Sequence, residues 1–299
     1  MSTSRDTMQQ LMVNMRKAFD DIGSKGLQEN RRLFDMTGLH AALPPGITVQ
    51  SEAVNGSLTG DWLMTADEDS NSPIVLYFHG GGYSVGSSIS HRPLCARLAF
   101  HSACRVFSLN YRLAPEHKYP AALEDALSAY QWLRQKYPAS KIFIAGDSAG
   151  GGLVMAALLA IKWAALPQPT GAVGLSAWLD LECTSASYAE NKAIDLMASA
   201  EGLRFVGRAY AGKKISTDPL VSPFYATELH GLCPLLLQVG EAETLRDENI
   251  VFAEKAKTAG LDVEIQIWPN MVHVWHSLYG EIPEAQAALE AIGIWIQQH

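Results

Sequence analysis

Ile142-Phe143-Ile144-Ala145-Gly146-Asp147-Ser148-Ala149-Gly150-Gly151-Gly152 runs from an unbroken apolar segment through small residues into a long apolar stretch that reaches Leu166. The length and content of 142–145 predict a buried strand, and 151–165 predicts a helix. Between them, Gly146 and Gly150 flank Ser148 at two residues on either side. That spacing lets the backbone pass closely at a sharp strand-to-helix turn and leaves the serine exposed at a helix N-terminus, where the dipole favours developing negative charge. This is the pattern of a nucleophile elbow. The plainer alternative is a turn whose serine only caps the helix, so the rest of the chain has to decide.

Working outward, short apolar runs recur at 74–78, 106–109, 173–178, 235–239 and 263–268, separated by helix-like stretches at 92–100, 121–137, 249–258 and 283–297. Strand and helix in alternation predict a mostly parallel sheet covered on both faces. Two alternating segments, 47–50 and 58–64, precede this series and are joined through Asn55-Gly56, a dipeptide suited to a hairpin turn. The expectation is eight strands, opened by an antiparallel pair. Ahead of them, Leu11, Met12, Met15, Phe19 and Ile22 form one stripe of an amphipathic helix from Met8, and a second helix passes through 31–36. The stretch 179–214 breaks the rhythm, has no clear strand, and is expected to pack outside the sheet with the N-terminal helices.

His79-Gly80-Gly81-Gly82 follows the strand 74–78 directly. Three consecutive glycines leave backbone N–H groups unshielded and able to point at an oxyanion. A merely flexible glycine loop is the alternative for this segment taken alone. Paired with a serine elbow, the Gly81 and Gly82 amides together with that of Ala149 become candidates for an oxyanion hole.

Composition narrows the remaining classes. With 48% hydrophobic and 18% charged residues over 299 positions, the chain can bury a large core and has no linker-like tract. A net charge of -8, with basic residues scattered, gives no electrostatic basis for binding nucleic acid. The apolar stretch 150–166 is interrupted by Lys162 and is shorter than the ~20 residues of a membrane span. The first seven residues lack the basic start and apolar run of a signal peptide, and Cys95, Cys104, Cys183 and Cys233 form no Cys-x-x-Cys pair. Reduced thiols, a cytoplasmic location and no structural metal are the corresponding expectations.

Taken together, His79 to Gly82, Asn110-Tyr111-Arg112-Leu113-Ala114-Pro115-Glu116 with Pro120-Ala121, Gly146 to Gly151, Leu245-Arg246-Asp247-Glu248 and Pro269-Asn270-Met271-Val272-His273 resemble the hormone-sensitive-lipase family of α/β-hydrolases, the group that contains many bacterial carboxylesterases. The resemblance covers nearly the whole chain. It implies an α/β-hydrolase fold with an eight-stranded, mostly parallel sheet and a helical cap: 1–44 and 179–212 as cap segments, 45–178 and 213–299 as the catalytic domain. It implies a serine carboxylesterase for short-chain esters with Ser148 as nucleophile, a small-molecule ester as partner, no cofactor, and often a homodimer through the last strand.

The fold places its triad in the order serine, acid, histidine, so the base is expected among the late histidines, and the motif match selects His273 over His276 and His299. A metal-binding His273–His276 pair lacks a third ligand. At the acid position the family pattern has an aspartate two residues before Leu-Arg-Asp-Glu, whereas this chain has Glu243. Glutamate can hold an imidazole in the same way after a small loop shift, so Glu243 is the expected acid, with Asp247, Glu241 and Asp218 as rivals. Arg112 and Glu116 are expected to prop the oxyanion loop as an ion pair. A lactone hydrolase with the same triad, or a non-catalytic binding protein on this scaffold, remains open at this level.

Overall fold

A computed structural model describes Val13, residues 26–69 and residues 71–299. Apart from Val13, the expected helix from Met8 to Ile22 lies outside the described residues. Eight strands form one sheet in the order β1-β2-β4-β3-β5-β6-β7-β8: β1 (Thr48–Asn55), β2 (Leu58–Met64), β3 (Ile74–Phe78), β4 (Arg105–Asn110), β5 (Ile142–Asp147), β6 (Gly171–Leu175), β7 (Leu235–Gly240) and β8 (Val263–Trp268). β1 and β2 pair antiparallel, β2 pairs antiparallel with β4, and every other ladder is parallel.

The parallel strands are legible as apolar runs because both of their faces are covered. In β3, Ile74, Leu76 and Phe78 enter the core shared with α3 (Ala121–Lys136), α4 (Ala149–Trp163) and α7 (Arg246–Thr258). Val75 and Tyr77 enter the opposite core, with α2 (Arg92–Ser102) and α8 (Pro283–Gln298). Burying one such aliphatic or aromatic side chain contributes about 1.5–3 kcal/mol. All five positions of β3 are buried, so this strand outweighs any single helix cap, worth about 1 kcal/mol.

Several boundaries differ from the sequence expectation. β1 extends to Asn55, past its polar residues Gln50, Ser51 and Glu52, because it is an edge strand exposed along most of its length. The hairpin turn falls on Gly56-Ser57, with Asn55 still paired to Leu58. β6 stops at Leu175, where Ser176 takes a φ of 47° and turns the chain so that the Trp178 amide bonds the Ser148 carbonyl at 2.9 Å.

Outside the sheet are α1 (Leu27–His40), the short α5 (Ser187–Glu190) and α6 (Ala200–Ala211). Ser199 caps α6 by accepting from the Gly202 amide. Among the described residues no helix is long and apolar enough to cross a membrane. The glycine loop, Ser148, the loop with Glu243 and the loop with His273 all follow the carboxyl ends of strands, the edge of an open α/β sheet where ligands bind.

Candidate active site

Ser148 occupies the single residue between β5 and α4, with φ 53° and ψ -121°, a conformation that L-residues rarely adopt. The turn is held on both sides: the Ser148 amide donates to the Leu175 carbonyl at 2.9 Å, and its own carbonyl accepts from Gly152 and Trp178. A Cβ on Gly146 would lie 2.6 Å from the carbonyl oxygens of Phe78 and Gly150, and one on Gly150 would lie 2.0 Å from that of Phe78. Glycine is required at both places because the elbow presses directly on β3.

His273 brings Nε2 to 2.9 Å from Ser148 Oγ, across 125 residues of sequence. Its Nδ1 lies 3.4 Å from Glu243 Oε2, and both atoms are buried. Closing that gap by about half an ångström would make a normal charge-assisted bond, a tightening common when such sites bind substrate. The other oxygen of Glu243 accepts from the Gly240 amide at 3.1 Å. Burial pushes the Glu243 carboxyl up, and the adjacent imidazole partly offsets this. Burial would lower His273, yet the Glu243 carboxylate more than compensates and holds its pKa above the 6.5 of an ordinary histidine.

The rival acids are engaged elsewhere. Asp247 accepts from the Ser187 amide and pairs with Arg246; Glu241 accepts from the Asn270 amide; Asp218 accepts from Leu220 and pairs with Lys214. His276 is buried with Nε2 2.8 Å from Gln238 Oε1, and burial depresses it to about 3. Among the described residues no group of three or more His, Cys, Asp or Glu side chains is placed to hold a metal ion.

The glycine loop curls between the elbow and α6. Gly81 and Gly82 have φ values of 109° and 60°, and among the described residues neither amide has a backbone acceptor. Val206 of α6 covers Gly82, whose Cβ, if present, would meet Val206 Cγ2 at 3.1 Å. The next residue, Tyr83, stacks on Tyr210 of α6 with ring centroids 3.7 Å apart.

A family model described as alpha/beta hydrolase fold matches residues 75–277. An acetyl-hydrolase of Streptomyces hygroscopicus is 39% identical over 256 residues, spanning 85% of this chain and 83% of the relative. The ethyl acetate hydrolase of Pseudomonas putida is 32% identical over 234 residues, 75% of this chain and 73% of its own. A solved esterase of the bacterial hormone-sensitive lipase family superposes with a TM-score of 0.91 at 36% identity, covering 100% of this chain and 99% of that one. The chain is an α/β hydrolase of the hormone-sensitive-lipase family.

Two features of the hydrolase were not visible in its sequence. The first is a clamp on the acid loop built from the segment around α5. Asn191 Nδ2 donates to the Glu243 carbonyl at 2.8 Å, Ser187 Oγ donates to the Thr244 carbonyl at 2.6 Å, and Asp195 accepts from the Thr244 amide at 2.9 Å. The second is a correction to the expected Arg112–Glu116 pair. Arg112 instead binds Asp125 and Glu124 near the start of α3, whereas Glu116 pairs with Arg31 of α1. Arg31 also donates to the Ser84 and Ala114 carbonyls at 2.8 and 3.0 Å, so the arginine that braces the end of the glycine loop comes from 53 residues upstream.

The raised His273 pKa has a kinetic consequence. A general base must be neutral, so activity is lost as the pH falls through its pKa. The acid limb of kcat/KM is therefore expected above 6.5, measured with an ester whose own hydrolysis is insensitive to pH in that range. An acid limb below 6.5 would show that Glu243 is not coupled to the base.

Proposed function

We propose that the hydrolase cleaves short-chain carboxylic esters through an acyl-enzyme on Ser148, with His273 as general base, Glu243 as the acid that orients it, and the amides of Gly81, Gly82 and Ala149 as the oxyanion hole. The observation that carries this reading is the 2.9 Å contact between His273 Nε2 and Ser148 Oγ at a strained elbow. The named activities of its relatives, an acetyl-hydrolase and an ethyl acetate hydrolase among them, support small acyl groups and small alcohols.

In this mechanism Ser148 Oγ attacks the ester carbonyl carbon while its proton passes to His273 Nε2. The carbonyl π electrons move to oxygen, and the N–H groups of Gly81, Gly82 and Ala149 donate hydrogen bonds to the oxyanion so formed. Collapse expels the alcohol, protonated by His273, and leaves the acyl-serine. Water then repeats the sequence with His273 as base, freeing the carboxylic acid and restoring the serine. Glu243 keeps the Nδ1 proton in place throughout, so that Nε2 presents its lone pair to Ser148. Residues 45–178 and 213–299 supply this chemistry under a proposed cap of 1–44, of which 1–12 and 14–25 lie outside the described residues, and 179–212, whose part is supported by α6 lying against Gly82 and Tyr83.

The direct test is covalent. Incubation with a dialkyl fluorophosphate should add one phosphoryl mass per chain, mapped to the peptide containing Ser148, with parallel loss of turnover of p-nitrophenyl acetate. Modification without loss of turnover would remove Ser148 as the nucleophile, and an unmodified Ser148 in a protein without turnover would leave a binding protein on this fold as the better reading.

A further inference from the structure

The residue that precedes the nucleophile is a carboxylate that the mechanism leaves unused. Asp147 is 3% exposed, and its Oδ1 accepts from the Tyr77 hydroxyl at 2.7 Å and from the Gly80 amide at 3.0 Å. Oδ2 lies 3.4 Å from His91 Nε2. Burial would raise this carboxyl, but His91 and the Tyr77 hydroxyl outweigh it and hold it down to about 2, so it is ionised at working pH. An ionised carboxylate kept inside the core is costly unless its partners are well placed.

The neighbouring bonds set the proton on His91. The Ser90 hydroxyl donates to the Ser87 carbonyl at 2.9 Å, and its oxygen accepts from the Ser87 amide at 2.8 Å. Toward His91 Nδ1, 2.9 Å away, it can therefore only accept, and Nδ1 bears a hydrogen. Nε2 is left facing the Gly80 amide at 3.2 Å and Asp147 Oδ2. A neutral ring accepts from Gly80, and a protonated ring donates to Asp147; in both states Asp147 Oδ1 retains the Gly80 amide.

Gly80 is thus gripped from several sides just before Gly81 and Gly82. A Cβ on it would sit 2.2 Å from Asp147 Oδ2, which shows how closely the carboxylate packs on the loop backbone. Its carbonyl is 2.7 Å from His79 Nδ1, and the His79 ring stacks on Tyr111, whose hydroxyl donates to the His79 carbonyl at 2.7 Å. Because Asp147 is bonded covalently to Ser148, one residue links the nucleophile to the loop whose amides receive the oxyanion.

We propose that Asp147, backed by Tyr77 and His91, is a positioning residue for the oxyanion loop, a strut that fixes Gly81 and Gly82 relative to Ser148. This rests on the esterase reading above. Displacing an oxyanion donor by about 1 Å costs on the order of 10²-fold in rate, so the strut acts on the transition state and hardly on ground-state binding.

The test compares the wild type with Asp147→Ala, Asp147→Asn and His91→Gln in p-nitrophenyl acetate hydrolysis and in inhibition by an aryl trifluoromethyl ketone. The ketone carbon bonds Ser148 Oγ, the serine proton goes to His273, and the ketone oxygen becomes an oxyanion, so its affinity reports the loop geometry. Asp147→Ala is expected to lower kcat by about 10²-fold with KM within about 3-fold, and to weaken the ketone in proportion to kcat. Asparagine keeps an oxygen for both Tyr77 and Gly80 and is expected to restore kcat to within about 10-fold of wild type.

Should the alanine variant fail to fold, His91→Gln, which leaves Asp147 in place, is expected to show a smaller, parallel loss of kcat and ketone affinity. Unchanged kcat in the folded variants, equal losses in alanine and asparagine, or a kcat loss with full ketone affinity would each overturn the strut. An active wild type with unaffected variants refutes only the strut, whereas an inactive wild type refutes the esterase reading itself.

Discussion

Ser148→Ala is expected to reduce turnover of p-nitrophenyl acetate by at least about 10⁴-fold while leaving the protein folded. The size follows from the chemistry removed. Without Oγ there is no acyl-enzyme, and any residual rate comes from water attacking a carbonyl polarised by the oxyanion loop. The fold is expected to tolerate the change because the elbow is held by main-chain bonds from the Ser148 amide and carbonyl, none of which needs the hydroxyl. Among the described residues the only side-chain partner of Oγ is His273. Melting temperature and far-UV circular dichroism should match the wild type, and turnover within about 10-fold of wild type in such a folded variant would reject Ser148 as nucleophile.

Glu243→Gln is expected to lower kcat by about 10³- to 10⁴-fold, and Asp247→Asn by less than about 10-fold. An amide in place of the carboxylate can turn its NH₂ toward His273 Nδ1. That stabilises the tautomer with hydrogen on Nε2, which cannot accept the serine proton. It also removes the negative charge that holds His273 above its ordinary pKa, so the acid limb of the residual activity should move to lower pH. Asp247 faces the Ser187 amide and Arg246 instead, and its loss loosens the acid loop without touching the imidazole. The opposite ranking of the two variants would move the acid to Asp247.

The legible parts of this molecule are those determined by local chain. β3, β5 and β7 could be read because their residues are buried on both faces, which leaves them apolar apart from Asp147 at the end of β5 and Gln238 in β7. α4 starts at Ala149, two residues before the predicted 151, since Gly150 looks like the end of the turn and not the first of the helix glycines Gly150, Gly151 and Gly152. In the helix they stand where other chain passes too close for a side chain, as at Gly152, whose Cβ would lie 2.3 Å from the Trp178 carbonyl. Ser148 and His273 were legible through motif and order along the chain. Glu243 could be preferred to Asp247 and Glu241 only through its place two residues before Leu245-Arg246-Asp247-Glu248, because its approach to His273 depends on how the loop after β7 turns within three residues. The Arg31–Glu116 bond was out of reach for another reason: it joins an outlying helix to a loop 85 residues away, and no periodicity encodes that distance.

The clamp of Ser187, Asn191 and Asp195 on the Glu243 loop, together with the Tyr83–Tyr210 stack, means that one segment touches the acid and the oxyanion loop at once. With that segment as the proposed cap, selection for a new substrate that acts on it also acts on the speed of the chemistry. A segment transplanted from a relative would have to bring its serine, asparagine and aspartate in register, or the chimera would accept the new ester and turn it over slowly. In this hydrolase, breadth of diet and pace of digestion are inherited together.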